Sequence, residues 1–348
     1  MKAAVFENLG KIVVKEVPTP EIDDDSALVR VRACAICGSD VRTYHSGNSR
    51  VKPPQILGHE ISGEIVEVGK NVTKVKVGDR VAIGSNVPCG ECFFCESGMG
   101  NVCQENYAIG YQFAGGFAEY MLLNRMTLLY GPVQKIPDNG DFSEYALAEP
   151  LGCILNALKR TRIEMGDTVV IIGGGPVGCM MIPVIKARGA SKIICIERNP
   201  ARQKVALDSG ADMVINHAKV DIVQEIMKMT HGFGAQVVIT ATPVPEMQQK
   251  ALMMARNHGR VNFFGGLPPH SSNVVLNSNL IHYKELIVTG AFGCQPRHHK
   301  KAVELIQAGL IDVAPFITEH FSLDEIQHGF NKATERNCMR VIIHPWKI

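Results

Sequence analysis

The hydrophobic pattern changes character along the chain. Up to about residue 148, apolar and polar positions alternate in short stretches, as in 27–32 (ALVRVR) and 64–68 (EIVEV), with glycine turns between them. A period of two marks half-buried strands, so this part is predicted to be a barrel-like β domain without a sustained helix before Ser143. Beyond Gly166 the apolar residues instead come in short, mostly apolar runs that read as strands, at 168–172, 192–196, 213–215, 236–240, 260–264 and 285–289. Helix-period stretches at 200–209, 222–229 and 246–255 separate most of these runs. Such alternation predicts a doubly wound, six-stranded parallel sheet. A tail with helices at 297–308 and 323–334 and a strand at 339–344 is expected to close back on the first domain. The expected division is therefore 1–148, 149–293 and a returning segment, 294–348. The alternating stretch 274–288 is expected to supply an edge strand for self-association.

The stretch 168–197, TVVIIGGGPVGCMMIPVIKARGASKIICIE, organises the second part. A buried strand runs into Gly173, Gly175 and Gly178, spaced G-x-G-x-x-G, then a helix, then a second strand ending on Glu197. The first glycine allows a tight turn, the second lets the backbone approach a pyrophosphate, and the third lets the helix pack closely on the sheet. A pyrophosphate would meet the positive end of that helix. Glu197, 19 residues after Gly178, can accept both ribose hydroxyls and would repel a 2′-phosphate, so NAD is expected. Arg198 beside it keeps NADP open. Pro183 in the helix predicts a kink or local rearrangement.

Length and charge narrow the classes. A chain of 348 residues suggests two domains, and 36 basic against 34 acidic side chains, net +2, create no field for nucleic acid or anionic lipid. The N-terminus lacks the basic-then-apolar pattern of an export signal, and the longest uncharged run is broken by glycines and prolines. A soluble, cytoplasmic protein with no membrane segment is expected.

Eleven cysteines in such a chain read better as metal ligands than as disulfides, and four of them cluster as Cys89-x2-Cys92-x2-Cys95-x7-Cys103. Four thiolates at this spacing suit a closed, structural zinc site. Upstream lie Cys37-Gly38-Ser39-Asp40 and Gly58-His59-Glu60. Cys37 and His59 are zinc-type ligands, though either alone is more often structural. With an acid they would make a three-ligand open site; Glu149, before Pro150, is the candidate, and Glu60 competes with it or alternates.

These clusters, in this order with Ala148-Glu149-Pro150 and the glycine turn, resemble the zinc-dependent medium-chain dehydrogenases over essentially the whole length. The likeness is strongest to the sorbitol, polyol and threonine dehydrogenase branch, because Glu149 stands where alcohol dehydrogenases of the family carry cysteine. The resemblance implies a GroES-like, β-rich catalytic domain beside a Rossmann domain. It also implies two zincs per chain, the catalytic one held by Cys37, His59 and Glu149, with Glu60 exchanging or linked through water. Asp40 would orient His59, Ser39 would hydrogen-bond the reacting oxygen, and Gly173, Gly175, Pro176, Val177, Gly178, Glu197 and Arg202 would hold NAD. A homodimer or homotetramer is implied too. One departure is that the histidine many relatives place shortly after the Ser-Asp pair is here Val41 followed by Arg42. Arginine cannot act as a base, so proton exit needs another route through Glu60, Glu149 or water, and Arg42 is either an anion contact or a surface residue.

The expected reaction is reversible hydride transfer between a secondary alcohol and NAD, with Ser39 relaying the proton. The substrate is expected to be a polyol, sugar alcohol or sugar acid, with or without phosphate. A threonine-type 3-dehydrogenase is the alternative enzyme, and a zinc-stabilised NAD sensor without turnover is the alternative of another class. Tyr44, His45, Tyr107, Tyr111 and Phe292 are candidate pocket residues, each more often packing or surface.

Overall fold

The structure is a computed structural model that describes residues 1–335 and 337–346. It divides into two compact units, Met1–Cys153 with Gly293–Ile348, and Ile154–Phe292. The helix Ala148–Thr161 straddles this division, so Glu149 belongs with the first unit.

The first unit is built on a seven-stranded sheet. Along it run Val133–Lys135, Arg80–Ile83, Glu60–Val68, Ala27–Ala35, Arg340–His344 and Ile317–Ser322, with Tyr120–Leu123 pairing beside Ala27–Ala35. The alternation read at 27–32 is realised: Arg30 and Arg32 are half-exposed while Leu28, Val29 and Val31 are buried. The tail returns as expected, since Ile342 and Ile343 pair antiparallel with Ala35 and Cys34. Phe6, Leu57, Ile61, Ile65, Ile83, Phe117, Met121 and Phe330 fill the core beneath the sheet.

The expectation of no helix before Ser143 does not hold. Helix Gly38–Ser46 follows Cys37 directly, and shorter helices occupy Phe93–Glu96 and Arg125–Tyr130. The first escaped notice because its buried residues are Asp40, Thr43 and Tyr44, so its inward face is largely polar and carries no apolar period. Its start is instead stabilised locally, by the Cys37 N–H donating to the Asp40 carboxylate at 3.0 Å.

In the second unit, six parallel strands lie in the order Met213–Ile215, Lys192–Ile196, Thr168–Ile172, Ala235–Thr240, Ala255–Phe263 and Ile287–Gly290. In sequence rank this is 3-2-1-4-5-6, the doubly wound arrangement predicted from the apolar runs. Helix Pro176–Ala187 continues through Pro183, where the proline can offer no N–H to the carbonyl of Cys179, and it buries Ile182, Val184 and Ile185. The stretch 274–288 is corrected: it holds helix Ser278–Tyr283, and the edge strand is only Ile287–Gly290. Asn277 decides this locally, since its side chain caps the helix by accepting from the Asn279 N–H at 3.1 Å. Among the described residues no helix is long and apolar enough to cross a membrane.

Candidate catalytic metal centre and dinucleotide turn

Three donors converge where helix Gly38–Ser46 begins beside strand Glu60–Val68. The Cys37 thiol, a His59 ring nitrogen and a Glu60 carboxylate oxygen all lie within 4.8 Å of one another. One side chain sets two of them: Asp40 accepts from the Cys37 backbone through Oδ2 and stands 3.3 Å from His59 Nδ1 through Oδ1. Burial alone would depress the His59 pKa, but Asp40 and Cys37 outweigh it and hold the imidazole well above its usual range. Ser39 Oγ is 3.4 Å from His59 Nε2.

Glu60 is fully buried and shares its charge with Arg340, whose Nη1 donates to Oε1 at 2.9 Å. Its other oxygen, Oε2, is buried with no hydrogen-bond partner among the described residues. Burial raises the Glu60 carboxyl pKa against the opposing pull of Arg340 and His59. A buried orphan oxygen beside a thiol and an imidazole is what an open zinc site requires of its protein donors, so this set fits the metal.

Glu149 is adjacent rather than within this set. Its carboxylate groups with the Cys153 and Cys294 thiols, all within 4.8 Å, and Cys153 Sγ lies 3.6 Å from Oε1. Burial first, with the charge of Glu60 adding to it against the pull of His59 and Arg340, pushes the Glu149 pKa up to about 7. Of the expected donors, Cys37 and His59 thus group with Glu60, while Glu149 groups with Cys153 and Cys294 and is close enough to feel the charges of His59 and Glu60.

The four cysteines of the second cluster come together as predicted. Their sulfur separations include 3.8 Å for Cys89–Cys95, 3.5 Å for Cys92–Cys95 and 3.9 Å for Cys92–Cys103. Sulfurs ~2.3 Å from a tetrahedral zinc sit ~3.8 Å apart, so the cage matches that ion. No disulfide joins any cysteines among the described residues. The backbone N–H of Gln104 helps hold the half-buried Cys92 thiol down to about 6, which favours the thiolate a metal needs.

At the glycine turn, Gly173 takes φ +110°, and a Cβ on Gly178 would lie 1.9 Å from the Gly173 carbonyl oxygen. Neither position accepts a side chain. Gly175 caps the helix that Pro176 and Val177 begin. Glu197 lies beneath this turn, accepting from the Gly174 N–H at 3.0 Å and from Arg198 and Asn199 N–H at 2.8 and 2.9 Å. Arg202 Nη1 is 3.8 Å from where a Gly175 Cβ would begin, beside the space a pyrophosphate would take. A cavity of about 520 Å³ lies instead at the opening residues of the parallel strands, among Thr168, Lys192 and Gln236. Doubly wound sheets bind at the carboxyl ends of their strands, so that cavity is not the dinucleotide site.

Of the aromatic candidates, Tyr111 belongs to the centre, with its ring 5.7 Å from that of His59. Tyr44 is core, donating to the Gly10 carbonyl at 2.6 Å; Tyr107 stacks on Phe113; His45 and Phe292 are exposed. Arg42 is exposed as well. Arg340 was missed by the sequence reading, although a lone arginine within the apolar run CMRVII signals a buried acid partner.

Comparison with known proteins agrees with this geometry. Residues 23–138 match the Alcohol dehydrogenase GroES-like domain, and residues 176–308 match the Zinc-binding dehydrogenase domain. The chain is 34% identical to a sorbitol dehydrogenase of Bacillus subtilis (strain 168), covering 99% of this chain and 97% of that protein. It is 35% identical to an L-threonine 3-dehydrogenase of the same organism, covering 96% and 95%. A zinc-binding dehydrogenase from Sinorhizobium meliloti 1021, solved with NADP bound, superposes with TM-score 0.92 at 32% identity over 99% of both chains. The chain therefore belongs to the zinc-dependent medium-chain dehydrogenases, in the branch that holds the polyol and threonine dehydrogenases.

Proposed function

We propose that this zinc-dependent alcohol dehydrogenase interconverts a secondary alcohol of a polyol, sugar alcohol or sugar acid and the corresponding ketone, with NAD as hydride acceptor. The observation that carries the reading is the convergence of Cys37, His59 and Glu60, with Ser39 and Glu149 at its margin, in a chain that keeps every element of the glycine turn. Cys37, His59 and one of the two carboxylates would hold the catalytic zinc; Cys89, Cys92, Cys95 and Cys103 would hold the structural one. The chemistry these groups supply when bound is Lewis acidity toward an alcohol oxygen from zinc and hydride acceptance from NAD.

The chain's own residues do the rest. Asp40 keeps His59 oriented through Nδ1, leaving Nε2 to face the metal side. Ser39 Oγ, 3.4 Å from His59 Nε2, is placed to take the substrate hydroxyl proton. Glu197, held by three backbone N–H groups, presents a fixed negative charge that favours ribose hydroxyls over a 2′-phosphate, which supports NAD. Arg198 and Arg202, and the NADP bound by the Sinorhizobium relative, are why both cofactors belong in the test. An L-threonine-type amino alcohol is the second reading, favoured by a relative of nearly the same identity.

The test is dinucleotide reduction by zinc-loaded enzyme across polyols, their phosphates, sugar acids and threonine, with Glu149→Ala and Glu60→Ala alongside. Turnover of one class, lost in both variants, is expected, and the zinc content of each variant identifies the carboxylate that retains the metal. No turnover with either cofactor despite two bound zincs would sink the proposal.

A further inference from the structure

A half-buried arginine without a counter-ion lies next to the catalytic centre, and the function just proposed makes no use of it. Arg50 follows the helix that starts at Cys37. Its guanidinium carbon stands 5.1 Å from the centre of the Tyr111 ring, and Tyr111 in turn lies 5.7 Å, ring to ring, from His59. Tyr111 thus contacts both the charge and a candidate zinc ligand.

The surroundings hold the arginine in place but leave its charge uncompensated. Nη2 donates to the backbone carbonyl of Asn106, and the Arg50 N–H is tied to Asn48 Oδ1 at 2.9 Å. Gln55 Nε2 donates to the Tyr111 carbonyl at 2.6 Å, fixing the segment that carries the ring. No carboxylate approaches Arg50 within ion-pair distance among the described residues. Burial lowers its pKa, the opposite of what a paired arginine shows, yet guanidinium stays charged under all working conditions. A partly desolvated charge without a partner is costly unless a ligand supplies one. Its remaining N–H groups have no protein acceptor among the described residues, and their planar fork matches a phosphate or carboxylate. Arg42, the residue singled out from sequence, is exposed and has no comparable setting.

We propose that Arg50, backed by Tyr111, binds an anionic substituent of the substrate, so that the preferred alcohol carries a phosphate or carboxylate remote from the reacting carbon. This rests on the dehydrogenase reading above and narrows its substrate class.

The experiment compares wild type, Arg50→Gln and Arg50→Lys, all zinc-loaded, on D-glucitol, D-glucitol 6-phosphate, D-gluconate and L-threonine. The phosphate and carboxylate arms separate the two anion sources. Wild type should favour an anionic member over neutral D-glucitol in kcat/KM. Arg50→Gln should shrink that preference roughly tenfold to a hundredfold, mainly through KM, as expected for loss of a charge-assisted contact, and Arg50→Lys should restore part of it. Calorimetric binding of inorganic phosphate to the NADH-saturated enzyme, where the dinucleotide site is filled, should weaken in Arg50→Gln. A neutral substrate equal to the anionic ones, or an equal loss on all of them, overturns the assignment. So does phosphate binding that is the same in wild type and Arg50→Gln. If nothing in the panel turns over, the proposed reaction fails while phosphate binding still decides the role of Arg50.

Discussion

Arg340 and Glu60 form a fully buried ion pair at the edge of the candidate metal centre. Removing one partner of such a pair leaves a charge with no counterpart, which typically costs ~3–5 kcal/mol. Arg340→Ala should therefore be strongly destabilising, and more so in metal-stripped than in zinc-loaded protein, because a bound cation would share the Glu60 charge. Chemical denaturation of both forms measures this; equal losses would mean that Glu60 does not face the metal. At this scale the site was largely legible. Cys37, His59, Glu60 and Glu149 were all singled out, since metal-type donors in short polar clusters stand out from their neighbours. How the two carboxylates divide was not legible, because Glu149 approaches from residues far along the chain. Arg50 was invisible for a related reason: an arginine in a loop reads as surface until Tyr111 and Asn106 are folded against it.

Among the elements, the cysteine loop depends most on something other than its own core. Its helices, Phe93–Glu96 and Gly100–Val102, are single turns, and Phe93 and Met99 are exposed. Such a lobe lacks the apolar burial to hold itself, so metal binding should supply its stability. Cys103→Ser should reduce bound zinc from about two to about one per chain and lower the melting temperature, with early proteolysis confined to the 89–103 region. Metal analysis and limited proteolysis check this, and a variant that keeps both zincs would contradict it. Here too the pattern explains what was readable. Most of the parallel strands were located because they are short, mostly apolar runs, whereas helix Gly38–Ser46 was missed because Asp40 and Thr43 face inward. The 274–288 stretch was misread because alternation over a few residues fits a strand and a short capped helix equally well, and the Asn277 cap decided for the helix.

For the whole molecule, the returning tail brings a sensitive group into the core. His299, on helix Pro296–Gln307, is fully buried, and neither ring nitrogen has a hydrogen-bond partner among the described residues. Burial, reinforced by the charge of Lys74, pushes its pKa down to about 3. A Cβ on Gly84 would lie 3.0 Å from its ring and 3.3 Å from the Glu149 side chain, so both side chains border that glycine. Between pH 6.5 and 3 the unfolded chain binds a proton at this histidine that the folded one refuses. Stability is then fully present above 6.5 and falls with acidification, by at most about 1.4 kcal/mol per pH unit for a single group. His299→Leu should flatten that limb of the stability profile relative to wild type, and parallel profiles would show that His299 is not responsible.

Sequence alone determined the two-part architecture, the six strands of the parallel sheet, the cysteine cage and the glycine turn. Each is written in local spacing, as a period, a run or a motif whose residues sit close along the chain. Tertiary structure decided the arrangements that depend on closing long loops. It placed Arg340 against Glu60 across 280 residues, gathered Cys294 with Glu149 and Cys153, and set Arg50 against Tyr111. Spacing cannot reveal these pairings, because a buried charge or donor is positioned by the strands and helices that pack around it and not by its neighbours in sequence.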